Sequence, residues 1–143
     1  YKDSDRNNMA LYGSCGVIKN KDDNYEPKIS YYYIATMKHL LGEFFFDSVI
    51  EHATVTENYE KYIYSFKKDE REILMVWIRE SDSLIDTGVT KNIEITIPDL
   101  ISAEQITPVI NSLVGQRTNL TLSNSSTIII EAGETPIFIE LGY

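Results

Sequence analysis

The segment EPKISYYYIATMKHLLG, residues 26–42, decides how the chain is divided. The residue before Pro27 is disfavoured in helical geometry, so a helix is predicted to begin after the proline. Ser30 is predicted to accept a hydrogen bond from backbone N–H groups of the first turn. Gly42 is a natural C′ residue. The segment therefore predicts one α-helix that ends at Leu41.

The predicted helix is apolar around nearly its whole circumference. One apolar stripe consists of Tyr33, Met37, Leu40 and Leu41, extended by Ile34 and the stem of Lys38. Much of the remaining surface consists of Tyr31, Tyr32 and Ala35. A helix of this kind is usually buried on more than one side. A single small β-sandwich offers only one side, so we expect the helix to lie between two bodies.

After Gly42 the apolar period changes from helical to two, which indicates β-strands. The runs KYIYSF and EILMVWI predict a hairpin, and the second run is apolar on both faces, as in a central strand. NLTL and STIIIEA predict another hairpin, while NIEITIP and PIFIEL each place alternate apolar residues on one face. Near the start, LYGSCGVI (11–18) is predicted to be a short strand. The predicted fold is therefore mainly β: an antiparallel β-sandwich of about seven to eight strands, preceded by one N-terminal α-helix.

Composition excludes several classes of partner. The chain has 143 residues with 13 Lys+Arg against 22 Asp+Glu, a net charge of −9. Nucleic acid and anionic membrane surfaces would be repelled by this charge, whereas neutral ligands such as sugars are compatible with it. No apolar run approaches the roughly 20 residues that a bilayer crossing needs. The start at Tyr1, without methionine or signal segment, predicts a fragment or a processed product.

No catalytic or metal-binding constellation is predicted from motif spacing. Cys15, in the sequence Gly-Ser-Cys-Gly, has no histidine in motif spacing, because His39 lies on the predicted helix and His52 in an early strand. Two histidines and one distant cysteine do not predict zinc. Asp22-Asp23-Asn24 lacks the alternating ligands of a calcium loop, and the sequons at Asn119 and Asn124 are short enough to occur by chance. We therefore expect no catalytic residue, cofactor or metal in this chain.

The aromatic content raises a carbohydrate-binding alternative. The chain has ten tyrosines and one tryptophan, and flat aromatic faces stack on sugar rings. Trp77 lies in the most apolar strand, where burial is the default for a large ring, so core packing is the favoured interpretation. Sugar contact by Trp77 stays open as the alternative.

The segment YEPKISYYYIATMKHLLGEF resembles the end of the catalytic barrel in (β/α)8 glycoside hydrolases of the large retaining clan. The matching pieces are Gly16-Val17-Ile18, Pro27-Lys28 and Tyr31-Tyr32-Tyr33, whereas Ile29 stands where a second proline is usual. Residues 62–78 and 108–141 are similar to the hairpin and the closing run of that family's C-terminal β-sandwich. The resemblance covers nearly all of residues 11–143.

The resemblance implies that residues 1–43 are the end of a barrel domain and residues 44–143 an accessory C-terminal β-sandwich. The sandwich would brace the catalytic barrel of a bacterial enzyme acting on poly- or oligosaccharide. In such enzymes the catalytic carboxylates sit on earlier barrel strands, so this chain is not catalytic alone. The segment from Tyr12 to Cys15 would lie where the last barrel strand reaches the cleft, which makes Tyr12 a candidate sugar contact beside Trp77.

The expected partners are the missing N-terminal barrel, a poly- or oligosaccharide, and a second copy bound through the helix at 28–42. The expected location is extracellular or periplasmic. Two other classes remain open: a stand-alone carbohydrate-binding or adhesin-like β-sandwich, and a purely structural interaction domain.

Overall fold

The protein is mainly β, with one helix and nine strands in the residues that the structure describes. A computed structural model describes residues 17–19, 24–56, 58–80, 88–123 and 126–143. The elements are α1 (Ile29–Leu41), β1 (Phe45–Thr56), β2 (Tyr59–Lys68), β3 (Arg71–Glu80), β4 (Lys91–Thr96), β5 (Ser102–Thr107), β6 (Gln116–Asn119), β7 (Leu122–Ser123), β8 (Thr127–Ala132) and β9 (Ile137–Gly142). A single bridge pairs Ile18 with Pro27.

The strands form two antiparallel sheets that share one hydrophobic core. The larger sheet has the order β1-β2-β3-β9-β5-β6, and the smaller has the order β4-β8-β7. The core takes alternate residues from both sheets, among them Leu74 and Val76 of β3, Ile139 of β9, and Ile95 and Ile128 of the smaller sheet. Because each strand points alternate side chains to opposite faces, this core lies between the sheets and the predicted β-sandwich is confirmed.

The larger sheet is also apolar on the face opposite that core. Ile73, Ile106 and Phe138 lie on this outer face and are 0%, 0% and 2% exposed. The run EILMVWI is therefore buried on both faces at Ile73 and Leu74, as its pattern predicts, whereas Met75 and Trp77 on the outer face are half-buried. The predicted hairpin is β2–β3, in which Lys68 pairs with Arg71 across a two-residue turn.

Three features of α1 differ from the prediction. Lys28 is the N-cap and has no side-chain cap, while Ser30 lies inside the helix. Gly42 has φ −59° and ψ −20°, so it does not adopt the left-handed conformation that a C′ glycine favours. Glycine is suited here for another reason: a Cβ at this position would lie 2.5 Å from the carbonyl oxygen of Lys38.

The predicted apolar stripe of α1 is only partly covered. The buried residues are Tyr32, Thr36 and Leu40, spaced four apart. Ile34 and Met37, which belong to the predicted stripe, are 50% and 40% exposed. The small hydroxyl-bearing threonine takes the central buried position, which hydrophobicity alone does not predict.

The described residues form two compact units. One contains α1 and Pro108–Gln116, and the other contains Glu43–Thr107 and Arg117–Tyr143. Within the first unit, the Tyr32 hydroxyl donates a hydrogen bond to Asn111 Oδ1 at 3.0 Å. This bond attaches the helix to the 108–116 segment.

Candidate functional site

The outer face of β1, β2 and β3 carries a continuous group of ring side chains. Residues 62, 64 and 66 of β2 alternate onto this face, and the antiparallel register sets Trp77 opposite Tyr62 and Phe46 opposite Phe66. We call this group the aromatic surface; it consists of Phe46, His52, Tyr62, Tyr64, Phe66 and Trp77.

The rings of the aromatic surface contact one another. Trp77 stacks on Tyr62 with centroids 4.8 Å apart and planes 3° from parallel. Tyr64 lies 5.1 Å from Trp77, and His52 lies 5.4 Å from Tyr62 and 6.1 Å from Tyr64. Phe46 extends the set at 6.4 Å from Tyr64. These separations are those of aromatic pairs that stabilise a structure beyond simple burial.

Polar groups lie among the rings. His52 Nδ1 and the Tyr64 hydroxyl are 2.6 Å apart, and the Tyr62 hydroxyl donates a 2.6 Å hydrogen bond to Glu60. The hydrogen bond to Glu60 is the main cause that raises the pKa of Tyr62. Glu60 lies directly opposite Arg79 in the β2–β3 register. The surface therefore combines apolar ring faces with hydrogen-bonding groups at their edges.

Trp77 is neither a fully buried core residue nor a freely exposed platform. It is half-buried, and Tyr62 covers one face of its indole. Phe46, by contrast, is 59% exposed, and His52 is exposed as well. Sugar contact by Trp77 stays a prediction, and Tyr12, the other candidate, lies outside the described residues.

The other members of the aromatic surface were missed as candidates from the sequence. The alternation Tyr62-x-Tyr64-x-Phe66 was the available signal, because residues two apart on a strand share a face. The pattern alone does not say which face is covered, so packing was the default interpretation.

A second candidate is a polar cleft at β5, β6 and β9. It is a cavity of about 320 Å³, and its polar lining comes from Ser102, Glu104, Asn119 and Glu140. Glu104 and Glu140 are directly opposite each other in the β5–β9 register. Like charges in this position repel, and Arg117 offsets the repulsion by pairing with both carboxylates.

The Glu140 carboxylate is held in the ionised form. Burial alone would raise the pKa of Glu140, but hydrogen bonds from Arg71 and Arg117 outweigh burial and leave the pKa below its usual value. The hydrogen bond to Glu104 is the main cause that raises the pKa of Arg117. A general acid of a glycosidase needs a raised carboxyl pKa. Glu140 is therefore suited to accept hydrogen bonds and not to donate a proton.

Within the described ranges, no group of three or more His, Cys, Asp or Glu residues is placed to hold a metal ion. Cys15 and the Asp22-Asp23 pair lie outside those ranges. Asn119 is exposed on β6, and Asn124 is among the residues not described. Among the described residues the one helix, α1, has 13 residues, fewer than a bilayer crossing needs.

The chain is similar in structure to solved proteins. No protein-family model matches the chain, and no curated protein matches it. Among solved structures, a GH30 endoxylanase from Clostridium papyrosolvens C71 is similar with a TM-score of 0.43 and 14% identity. The match covers 64% of this chain and 22% of the endoxylanase, so the chain spans a minor part of that enzyme's length. At this TM-score and identity, nothing known of the endoxylanase extends to this chain.

Proposed function

We propose that the chain is the C-terminal accessory region of a glycoside hydrolase that acts on poly- or oligosaccharide outside the cytoplasm. In this proposal residues 1–43 complete a catalytic barrel, and residues 44–143 form a β-sandwich that braces it. The chain is not catalytic alone, because the resemblance assigns the catalytic carboxylates to earlier barrel strands. The support from the sequence is the resemblance of residues 25–44, 62–78 and 108–141 to that family.

The observation that carries the proposal is a second apolar stripe on α1. Tyr32, Thr36 and Leu40 form the buried stripe, whereas Ile34 and Met37 lie three residues apart on another part of the helix and are 50% and 40% exposed. Residues at this spacing are neighbours on a helix surface, so the two side chains form one apolar stripe. A helix that is buried on one side only would not need it. The second stripe fits a helix that packs against a further body, which we assign to the barrel.

The 108–116 segment adds apolar surface to the same unit. Ile110, Leu113 and Val114 are 59%, 52% and 47% exposed. Exposed apolar residues of this number in one small unit commonly mark an interaction surface. They are further candidates for contact with the proposed barrel.

The proposal is tested by producing the encoded region upstream of Tyr1 and measuring its association with this chain. We expect a region of about 250 residues with barrel periodicity that binds the chain in a pull-down experiment. Ile34→Asp and Met37→Asp are expected to abolish binding. Ile129→Asp is the matched control, because Ile129 is 49% exposed and lies on β8 in the other unit.

Two outcomes contradict the proposal. One is hydrolysis of aryl glycosides by this chain alone, since the catalytic carboxylates would then be present. The other is a gene that begins within a few codons of Tyr1, which leaves no barrel to brace.

A stand-alone carbohydrate-binding or adhesin-like module is the second candidate, and the aromatic surface favours it. In that case, the exposed stripe of α1 would be covered by a second copy or left uncovered. Light scattering on the chain separates these arrangements: a dimer that Met37→Asp dissociates indicates self-association through α1.

A further inference from the structure

We propose that the aromatic surface binds a linear, neutral β-1,4-linked oligosaccharide or polysaccharide that lies along β2. The inference goes beyond the bracing role and does not depend on it. It rests on the ring geometry, the polar groups at the ring edges, the local charge and the edge strand β1.

The ring spacing favours an extended ligand. Tyr62, Tyr64 and Phe66 project from alternate positions of β2 on one face. At about 3.3 Å per residue, Tyr62 and Phe66 are roughly 13 Å apart along the strand. A ligand that contacts all three positions must span several sugar rings. Straight β-1,4-linked chains match a straight row of rings, whereas helical α-1,4-linked chains do not.

The chemistry of the surface matches a sugar, which has apolar C–H faces and hydroxyl edges. Phe46 is 59% exposed, and Tyr62, Tyr64, Phe66 and Trp77 are half-buried, so ring surface remains in contact with solvent. The Tyr62 hydroxyl donates to Glu60 and the Tyr64 hydroxyl is hydrogen-bonded to His52 Nδ1, and each hydroxyl oxygen keeps a lone pair that can accept a hydrogen bond from a ligand hydroxyl.

The charge near the surface favours a neutral ligand. The carboxylate of Glu60 accepts the Tyr62 hydroxyl, and Arg79 lies directly opposite Glu60 in the β2–β3 register, so the charges beside the rings offset each other. The net charge of −9 opposes uronic acid or sulfated chains. The ligand class is therefore a neutral polysaccharide.

Strand β1, which borders the aromatic surface, is too irregular to pair readily with an added strand from a protein partner. β1 is an edge strand of the larger sheet, and its pairing with β2 shifts register at three places between Phe46 and Thr54. Ala53, next to His52, has φ +51°. Such irregularities block edge-to-edge pairing and redirect side chains, and they are frequent beside functional sites. A ligand that lies on the face of the sheet is compatible with them.

The binding test uses the only tryptophan of the chain as a reporter. Trp77 lies within the surface, so its fluorescence reports on this site alone. We expect saturable emission changes with cellohexaose, xylohexaose or mannohexaose, with a dissociation constant of about 1 mM or tighter. Glucose, maltohexaose and polygalacturonate are expected to give at least about tenfold weaker responses. No saturable change with any of the three β-1,4-linked hexasaccharides overturns the proposal.

A pair of adjacent phenylalanines supplies the matched variants. Phe46 lies on the aromatic surface, whereas Phe45 pairs with Lys67, projects to the other face of β1 and is 77% exposed. Phe46→Ala and Tyr64→Ala are each expected to weaken binding about three- to tenfold, as the loss of one ring contact implies. Phe45→Ala is expected to leave binding unchanged.

Equal losses in the Phe45 and Phe46 variants, with unchanged melting temperatures, contradict the assignment of the site. Because Phe46 is at an exposed edge, its variant is expected to fold. If the upstream region protects Trp77 from acrylamide quenching and the hexasaccharides do not, the surface binds protein and the proposal is wrong. The pull-down test of the bracing role uses α1 variants, so either proposal can fail alone.

Discussion

Removal of the Tyr143 hydroxyl tests how the end of the sandwich is held together. Glu72 of β3 is 9% exposed, and its two carboxylate oxygens accept hydrogen bonds from Ser65 Oγ at 2.5 Å and from the Tyr143 hydroxyl at 2.7 Å. Lys67 Nζ is farther away, at 3.7 Å from Oε2. Tyr143→Phe keeps the ring and leaves one oxygen of a largely buried carboxylate without its donor.

The expected loss of stability follows from the type of hydrogen bond that Tyr143→Phe removes. A hydrogen bond to a charged group contributes about 1.5–3 kcal/mol, and an unsatisfied buried acceptor costs a similar amount. Tyr143 is 52% exposed, so water can replace part of the lost bond and the loss falls below that range. We expect Tyr143→Phe to lower the free energy of unfolding by about 1 kcal/mol, which corresponds to about 3–5 °C in melting temperature.

The pH dependence gives an independent check. Burial, followed by the hydrogen bond to Glu72, raises the pKa of Tyr143 above its usual value. A group with a raised folded-state pKa contributes stability that is complete below the unfolded value of about 10 and is lost as pH rises through the folded value. The difference in stability between the original chain and Tyr143→Phe should therefore stay constant up to about pH 9.5 and shrink in stronger alkali.

Urea unfolding at pH 7.5 and at intervals up to pH 11 measures both effects. Tyr31→Phe is a suitable control, because within the described residues the Tyr31 side chain makes a ring contact with Tyr32 and its hydroxyl makes no hydrogen bond. Equal unfolding midpoints for Tyr143→Phe and the original chain, with the same alkaline slope, would refute the role of the phenol.

Two further tests address the core and the polar cleft. Ile139→Ala should lower the free energy of unfolding by about 2–5 kcal/mol, because Ile139 is 0% exposed in the shared core. Ile129→Ala is the control: Ile129 is 49% exposed, so this substitution should change the free energy of unfolding by less than about 0.5 kcal/mol. Denaturant unfolding distinguishes these values, and equal losses would contradict the core assignment. Arg117→Ala removes the ion-pair partner of Glu104 and Glu140. Because the pKa of Glu140 is lowered in the folded protein, the stability that the ionised Glu140 contributes is present near neutral pH and is lost as pH falls below about 4.5. Urea unfolding at pH 7 should show a clear loss in this variant and at pH 3 little, whereas the same loss at both values would show that these ion pairs do not stabilise the fold.

Interleaved apolar and polar residues predicted most strands, but β5 was not predicted. Its sequence, Ser-Ala-Glu-Gln-Ile-Thr, contains only two apolar residues, Ala103 and Ile106, which face opposite sides of the sheet. The segment becomes a strand because β9 supplies hydrogen bonds along one of its edges. That pairing joins residues distant in sequence, so no local pattern reports it.

The aromatic surface illustrates the same limit for the candidate site. The sequence showed rings at alternate positions of β2 and a tryptophan in β3, and it predicted that these strands form a hairpin. It did not show that Trp77 would stack on Tyr62, or that the bulged edge strand would bring Phe46 and His52 to the same face. The cross-strand register decides which rings meet.

The sequence by itself determined the helix, the β2–β3 hairpin and the apolar faces of β4 and β9, because period and turn chemistry act over a few residues. Tertiary structure alone decided which stripe of α1 is buried, since Tyr32, Thr36 and Leu40 were chosen over the more apolar Ile34 and Met37. It also decided that Glu104 and Glu140 would meet around Arg117. Each of these outcomes depends on which distant segments pack together, and the free energy of that packing is a property of the whole fold.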